Sequence, residues 1–288
     1  GTDPGPGEDP ANGTGGIAIL AQDRYVGRSI AEWATSNGMA SGPVVGVGAG
    51  LDVTFGEMAA MLAERKATDL VLGRSMVVGS GVVESFRGID AETPVAVYPG
   101  AGPTLETRSG FEVPGPAVSR AILEQAGMVP VDSLERMLDG GPALATQPLP
   151  DPASVVVVSN AGGPGVMGID AVGASGLDVA RLADETIARL EDVVPEHGSA
   201  RNPLDLLADS GIDVFDAALD ASLADENVGA AVVMSAPSAI FSFEELAEVI
   251  VAARRRHDVP IVTALMGGSR TERPADILRE AGIPNYFD

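Results

Sequence analysis

The sequence predicts an α/β protein of two domains, each with a parallel β-sheet flanked by helices. In both halves, short apolar runs alternate with segments whose apolar residues recur every three or four positions. Four consecutive valines, residues 155–158, are typical of a strand buried on both faces of a parallel sheet. A glycine-rich turn and a potential helix follow them. Such alternation indicates right-handed βαβ units, and the two halves resemble two copies of one open-sheet architecture.

In the first half, apolar runs predict strands and three- or four-residue spacing predicts helices. The strands are at residues 17–21, 44–47, 70–72, 95–98 and 129–131. The helices run through Ile30 and Trp33 to about residue 37, over residues 55–62, over residues 117–126, and from a capped start at residues 132–135.

The same criteria apply to the second half. Its strands are predicted at residues 155–158, 177–180, 230–234 and 260–265. Its helices are predicted at residues 166–173, 185–194, 214–223, 243–256 and 277–281, with a turn at residues 202–205.

Proline-rich segments predict the domain limits. Residues 142–152 contain several prolines without apolar periodicity and are interpreted as a linker between domains at residues 15–141 and 153–288. Residues 1–14 are mostly Gly, Pro, Asp and Thr with little to bury, and we interpret them as a disordered linker or a tag.

Composition excludes several classes of function. The chain has 288 residues and no cysteine, which rules out disulfides, thiol catalysis and Cys-zinc sites. Its formal net charge of −23 argues against nucleic-acid binding. Dispersed acid with a single lysine, Lys66, suggests solubility in high salt. No apolar run reaches the roughly 20 residues of a membrane span, and no signal peptide is visible, so we expect a cytoplasmic protein.

The glycine-rich turn after the valine strand is a candidate anion site. Pro164 is expected at the first helical position, where its missing N–H is not needed. The free backbone N–H groups of such a turn lie at the positive end of a helix and favour an anion such as phosphate. A tight turn that binds nothing is an equally open interpretation of this segment alone.

The glycine fingerprint and the two histidines give weaker evidence for a functional site. Gly163, Gly165 and Gly168 match the dinucleotide fingerprint, but no acidic residue closes the second strand at the required distance. His257 follows three arginines at a helix end, which is typical of a solvated surface, and His197 is expected in an exposed loop. Neither histidine has the spacing of a catalytic triad or of a metal site.

Several motifs resemble a known family. Residues 159–166, Ser-Asn-Ala-Gly-Gly-Pro-Gly-Val, and residues 202–206, Asn-Pro-Leu-Asp-Leu, are similar to the NDP-forming acyl-CoA synthetases, which are relatives of succinyl-CoA synthetase. Residues 16–22 and 125–135 resemble the family's first ligase domain. The resemblance extends from about residue 15 to residue 286 and implies two flavodoxin-like domains.

The resemblance also implies a reaction and partners. Members of the family convert acyl-CoA, phosphate and ADP to acid, CoA and ATP. A histidine carries the phosphoryl group between distant sites and is held between the N-termini of two helices, one from each ligase domain. The CoA-binding and ATP-grasp domains are not in this sequence, so they would be separate subunits or lost. CoA and ADP or ATP with Mg²⁺ would belong to those partners, and no cofactor is assigned to this chain itself. A homo-oligomer is the other implied assembly.

The sequence departs from the family at two places. Arg108 stands at the position of the phosphohistidine, and arginine has no lone pair with which to accept a phosphoryl group. In the first phosphate turn, Gln22-Asp23-Arg24 replaces Gln-Ser-Gly. Arg24 and Arg108 either neutralise an anion or pair with Asp23. The second turn is intact, and its expected phosphate-binding residues are Asn160, Ala161, Gly162, Gly163 and Gly165.

Three hypotheses follow. The first is a ligase-type subunit without the phosphohistidine step, acting as a scaffold or anion-binding partner. The second is an active acyl-CoA synthetase subunit that works with separate CoA-binding and ATP-grasp subunits. The third is a stand-alone sensor of a phosphate-type or CoA-type anion.

Overall fold

A computed structural model describes most of the chain as two compact units. The described residues are 16–36, 39, 41–48, 52–65, 68–75, 81–87, 93–100 and 115–286. The units are Gly1–Ala145 and Thr146–Asp288. Residues 1–14, predicted to be a disordered linker or tag, and Arg108 lie outside the described residues.

The first unit contains a five-stranded parallel sheet in the order β2-β1-β3-β4-β5. Its strands are β1 (Gly16–Ala21), β2 (Ser41–Gly46), β3 (Thr68–Ser75), β4 (Val95–Pro99) and β5 (Val129–Pro130). Its helices are α1 (Arg24–Ser36), α2 (Phe55–Ala63), α3 (Gly81–Phe86), α4 (Pro116–Gln125) and α5 (Leu134–Thr146).

The second unit contains a parallel sheet in the order β11-β10-β9-β6-β7, and β8 also pairs with β6. Its strands are β6 (Ser154–Ser159), β7 (Asp178–Val179), β8 (Leu204–Asp205), β9 (Ala230–Ser235), β10 (Ile261–Leu265) and β11 (Asn285–Tyr286). Its helices are α6 (Gly162–Ser175), α7 (Asp184–Glu191), α8 (Ile212–Leu223), α9 (Phe243–Arg256) and α10 (Glu272–Glu280), the last preceded by a 3₁₀ turn at Gly268–Thr271.

The four valines of β6 form the centre of the second unit. Val156 and Val158 pack into the larger apolar cluster on one face of the sheet, and Val155 and Val157 pack into the smaller cluster on the other. None of the four is more than 2% exposed. This burial confirms a strand covered on both faces, and the two parallel sheets with flanking helices confirm the predicted fold class.

Both sheets have their first strand between the second and the third, if β8 is set aside as an insertion. At such a point the connections leave the sheet in opposite directions, which opens a crevice beyond the carboxyl ends of the two central strands. In the first unit the crevice lies at the ends of β1 and β3, and in the second at the ends of β6 and β9. Candidate ligand sites are therefore expected at these two ends.

The structure differs from the sequence prediction in several elements. Helix α5 continues through Pro142 to Thr146, although the linker was predicted to begin at residue 142. Proline costs one hydrogen bond there, but Met137, Leu138 and Gly141 are buried in the same helix and keep it packed. Helix α3 and strand β11 were not predicted, because six and two residues show no measurable period. Helix α10 begins five residues earlier than the predicted 277.

Within the described part of the chain, every helix is too short or too polar to cross a membrane.

Candidate functional site

The start of α6 lies at the carboxyl end of β6. Ala161 is the N-cap residue in an extended conformation, and no side chain caps the helix. The first helical bond runs from the Gly165 N–H to the Ala161 carbonyl, at 3.2 Å. Among the described residues, no acceptor takes the N–H groups of Gly162 and Gly163. Two donors at the positive end of a 14-residue helix therefore remain available to an anion.

Pro164 is the third residue of α6, not the first as predicted. The difference arises because both preceding glycines already have helical geometry. A proline in the third position still lies in the first turn, where backbone N–H groups have no partner within the helix. The open donors of this turn therefore belong to Gly162 and Gly163.

Asn160 joins the two central strands next to this turn. Its side chain is fully buried. Its Nδ2 donates to the Ala236 carbonyl at 2.9 Å, and its Oδ1 accepts from the Ala236 N–H at 2.9 Å. These two bonds tie the end of β6 to the residue after β9. The Asn160 amide is thus engaged in holding the crevice, and any contact with an anion would fall to the backbone of the turn.

The Asn-Pro-Leu-Asp motif supports the turn from the sheet edge. The Asn202 Oδ1 accepts from the Val157 N–H at 2.9 Å, and its Nδ2 donates to the carbonyls of Val155 and Ala180 at 2.8 and 3.0 Å. Pro203, which follows a cis peptide bond, lies against Gly165: a Cβ added to this glycine would be 3.4 Å from the Pro203 Cβ. The motif therefore sets where α6 begins.

Asp205 places a carboxylate beside the start of α6. Its Oδ1 accepts from the Leu207 N–H at 3.0 Å. Its Oδ2 would lie 3.1 Å from a Cβ added to Gly162. Asp205 was not among the predicted site residues, although it stands in the quoted motif at residues 202–206. Its charge lowers the attraction of this turn for an external anion.

The corresponding turn of the first unit is arranged differently. The Asp23 Oδ1 accepts from the Tyr25 N–H at 2.8 Å and from the Val26 N–H at 3.1 Å. A carboxylate of the chain itself thus caps α1. Arg24 does not pair with Asp23: its Nη2 donates to the Tyr25 hydroxyl at 2.9 Å. Gln22 is held by its backbone, since its N–H donates to the Arg74 carbonyl at 3.1 Å.

Arg74 is a further cation at this end of the first sheet that the sequence analysis did not single out. It is the next-to-last residue of β3, and its guanidinium lies 4.7 Å from the centre of the Tyr98 ring on β4. Burial lowers the pKa of Arg74, and the charge interaction with Tyr98 opposes that shift. An arginine after an apolar run is a weak signal in sequence, because only the strand order brings it beside Gln22.

The two histidines lie in different parts of the second unit. His257 follows α9, which runs back from the carboxyl end of β9. Its Nε2 is 2.9 Å from the Asp220 Oδ1 on α8, and this bond is the main cause of a lowered pKa for Asp220. Arg256 also bonds Asp220, at 3.2 Å, so the cluster joins two helices at the surface. His197 is exposed in the loop before β8.

No group of three or more His, Cys, Asp or Glu is placed to hold a metal ion among the residues that the structure describes. The structure therefore gathers Asn160, Ala161, Gly162, Gly163 and Gly165 in one turn, with Asp205 beside it. It places Gln22, Asp23 and Arg24 at the equivalent turn of the first unit. The role of Arg108 stays a prediction, as do the domain limits.

Comparisons with known proteins assign both units. Residues 14–144 match the model of the succinyl-CoA ligase like flavodoxin domain, and residues 155–288 match that of the ligase-CoA domain. The chain is 28% identical over 284 residues to a 4-hydroxybutyrate–CoA ligase [ADP-forming] of Nitrosopumilus maritimus. It is 26% identical over 284 residues to an acetate–CoA ligase [ADP-forming] II subunit alpha of Pyrococcus furiosus.

These alignments cover 95% and 94% of this chain but 40% and 62% of the two relatives, so the chain spans less than two thirds of either. A solved structure of a dinucleotide forming acetyl-coenzyme A synthetase 1 from Ca. Korarchaeum cryptofilum, in complex with phosphate and ADP, superposes with a TM-score of 0.86. Its sequence identity is 20%, and the match covers 95% of this chain and 61% of that one. The likeness shows that the fold is shared.

Proposed function

Because the chain belongs to the family of NDP-forming acyl-CoA synthetases, through its two ligase-type domains, we propose that it is a non-catalytic subunit of such an enzyme. It binds a phosphate-like anion at the start of α6 but carries no phosphoryl group. One observation supports this more than any other. Among the described residues, the N–H groups of Gly162 and Gly163 have no acceptor, whereas Asp23 fills the equivalent turn of the first unit.

The chemistry of the family's reaction supports the same proposal. Transfer of a phosphoryl group through the protein needs a side chain with a nucleophilic lone pair, which a histidine supplies. Arg108, at the position implied by the resemblance, offers only donors. It suits the binding of a phosphate but not its covalent transfer.

The partners in this proposal are a CoA-binding subunit and an ATP-grasp subunit. The relatives from Pyrococcus furiosus are named subunit alpha, which supports an assembly of several chains. CoA, ADP or ATP, and Mg²⁺ would be held by those partners. This chain would supply the pair of ligase domains and would hold a phosphate-like anion without transferring it.

Phosphate binding by the isolated chain, measured by calorimetry, tests the anion site. We expect Gly163→Asp to abolish binding, because the new carboxylate would lie in the first turn and take up its donors. The variant should fold, since a Cβ at Gly163 meets nothing within 4 Å. Gly173→Asp is the matched control: it makes the same change of charge in α6, also in open space, and should bind as the parent does.

Incubation with labelled ATP and candidate partner subunits tests the loss of phosphoryl transfer. We expect no acid-labile phosphate on this chain. Acid-labile label on His197 or His257, located by mass spectrometry and lost in the corresponding His→Ala variant, would contradict the proposal.

An active subunit is the second candidate, and the intact turn at residues 160–165 favours it. In that case a reconstituted complex would form acyl-CoA, and Gly163→Asp would abolish the activity while Gly173→Asp would not. Tight binding of phosphate or CoA by a chain that forms no complex with the CoA-binding or the ATP-grasp subunit would instead support a stand-alone anion sensor.

A further inference from the structure

A second site is indicated at the other end of β6, where the strand begins. A cavity of about 980 Å³ lies there, beside the edge of the second sheet. Ser154, the first residue of β6, lines it, as do Asp178 and Val179 of β7. The turn at residues 160–165 follows the last residue of the same strand and does not line this cavity.

The cavity exists because the sheet edge is interrupted. Strand β7 pairs only with Ser154 and Val155, and β8 pairs only with Val158 and Ser159. The Asn202 amide fills the interval between these two short strands, and both its donors and its carbonyl are engaged there. Asn202 lines the cavity with its amide groups already engaged, so other residues are left to contact a ligand.

Four charged side chains line the cavity, two of each sign. Arg181 follows β7 and Arg201 precedes Asn202, while Asp178 and Asp184 belong to β7 and α7. None of the four forms an ion pair with a described residue. In a chain with 41 acidic residues, two arginines in one cavity thus remain without a carboxylate partner in the described part of the molecule. All four residues are exposed, so their charged groups are accessible to a ligand from the solvent.

This set of groups matches the ester of a phosphate with a polyhydroxy compound. Guanidinium groups bind phosphate through paired N–H donors. Ionised carboxylates only accept hydrogen bonds, so they suit hydroxyl groups and would repel a second anion. Leu182 and Ile187 add an apolar wall. The volume is in the range of small-molecule sites and large enough for a nucleotide.

We propose that this cavity binds a sugar phosphate or a nucleotide, with Arg181 and Arg201 on the phosphate and Asp178 and Asp184 on the hydroxyl groups. The proposal does not depend on the anion site of α6, because the two sites lie at opposite ends of β6. A bound ester would give the subunit a second input, separate from the transfer reaction of its family.

Calorimetry on the full chain carrying Gly163→Asp, in which the anion site of α6 is expected to be closed, tests the proposal with ribose 5-phosphate, AMP and inorganic phosphate. We expect saturable binding of at least one ester and much weaker binding of inorganic phosphate at this site. Equal affinity for ribose 5-phosphate and AMP would assign recognition to the sugar phosphate, and a preference for AMP would assign it to the nucleotide. No saturable binding of either ester would overturn the proposal, and so would equal binding of inorganic phosphate.

Variants locate the binding. We expect Arg181→Gln and Arg201→Gln each to weaken ester binding about tenfold or more, as loss of a charged hydrogen bond requires. Arg255→Gln is the matched control, because Arg255 is exposed on α9 and has no ion pair among the described residues. An equal loss in this control would overturn the proposal. Gly163→Asp separates the two sites: ester binding that disappears in this variant belongs to the α6 turn and would also overturn it.

Discussion

The starts of α1 and α6 occupy equivalent places in the two units. They differ in whether a side chain of the protein accepts the backbone N–H groups of the first turn. The first is closed by its own side chain, since the Asp23 carboxylate accepts two N–H groups of α1. The second has no side-chain cap and is positioned by residues distant in sequence, Asn202, Pro203 and Asp205. A helix start that satisfies its own donors gains local stability. One that leaves them open depends on tertiary contacts and can take an external anion.

The largest change in stability is expected when the Asn202 side chain, which supports the start of α6 from the sheet edge, is removed. Asn202→Ala removes three hydrogen bonds from the partly buried edge of β6, which should lower the free energy of unfolding of the second unit by about 3 kcal/mol. Urea denaturation measures it. Asp170→Ala, at an exposed position of α6, is the control and should change the stability little. A loss below about 1 kcal/mol for Asn202→Ala would mean that the motif does not hold the turn.

The next effect is on the local cap of α1. Asp23→Ala should destabilise the first unit by about 1 kcal/mol, the usual cost of losing an N-cap. It should also free two donors, so that phosphate binds more than once per chain by calorimetry. Asp23→Ser should restore most of the stability, because a serine hydroxyl also caps a helix. Unchanged stability in Asp23→Ala would remove the contrast between the two turns.

A smaller change should follow from neutralising Asp205. Asp205→Asn keeps an oxygen for the Leu207 N–H but removes the charge beside Gly162. Phosphate binding at α6 should become roughly three- to tenfold tighter, as expected for one nearby charge in a largely solvated site. Calorimetry at low ionic strength measures it, and added salt should reduce the difference. Weaker binding in Asp205→Asn would show that this carboxylate helps the site.

The smallest change in stability is expected at the surface cluster of Asp220, Arg256 and His257, which joins α8 and α9. This cluster belongs to neither of the two turns and is therefore a reference for them. The hydrogen bond from His257 is the main cause of the lowered pKa of Asp220. A carboxyl group whose pKa is lower in the folded state adds stability above its unfolded pKa of about 3.9 and loses it as the pH falls through the folded pKa. Asp220→Asn should therefore be less stable than the parent at pH 6, and this difference should shrink as the pH falls below about 3.9.

Prediction from sequence succeeded where a pattern is long and periodic. The valine run identified β6, and the spacing over residues 243–256 matched α9 at both ends. It was less accurate where packing outweighs local preference, as in α5 beyond Pro142 and at the first residue of α6. The sequence analysis identified Asp23 only as a residue that replaces a serine of the family motif. It did not predict that Asp23 caps α1, because nothing in the sequence shows which N–H groups a carboxylate will reach.

The sequence by itself determined the fold class, the family and the glycine turn, since these follow from periodicity and from motifs contiguous in the chain. Only the tertiary structure decided that Asn202 holds the edge of β6, that Asp205 lies beside Gly162 and that four charges surround one cavity. The physical reason is that the Asn202 contacts, for example, join residues 22 to 47 positions apart, whose approach depends on the strand order β7-β6-β9 and leaves no local pattern.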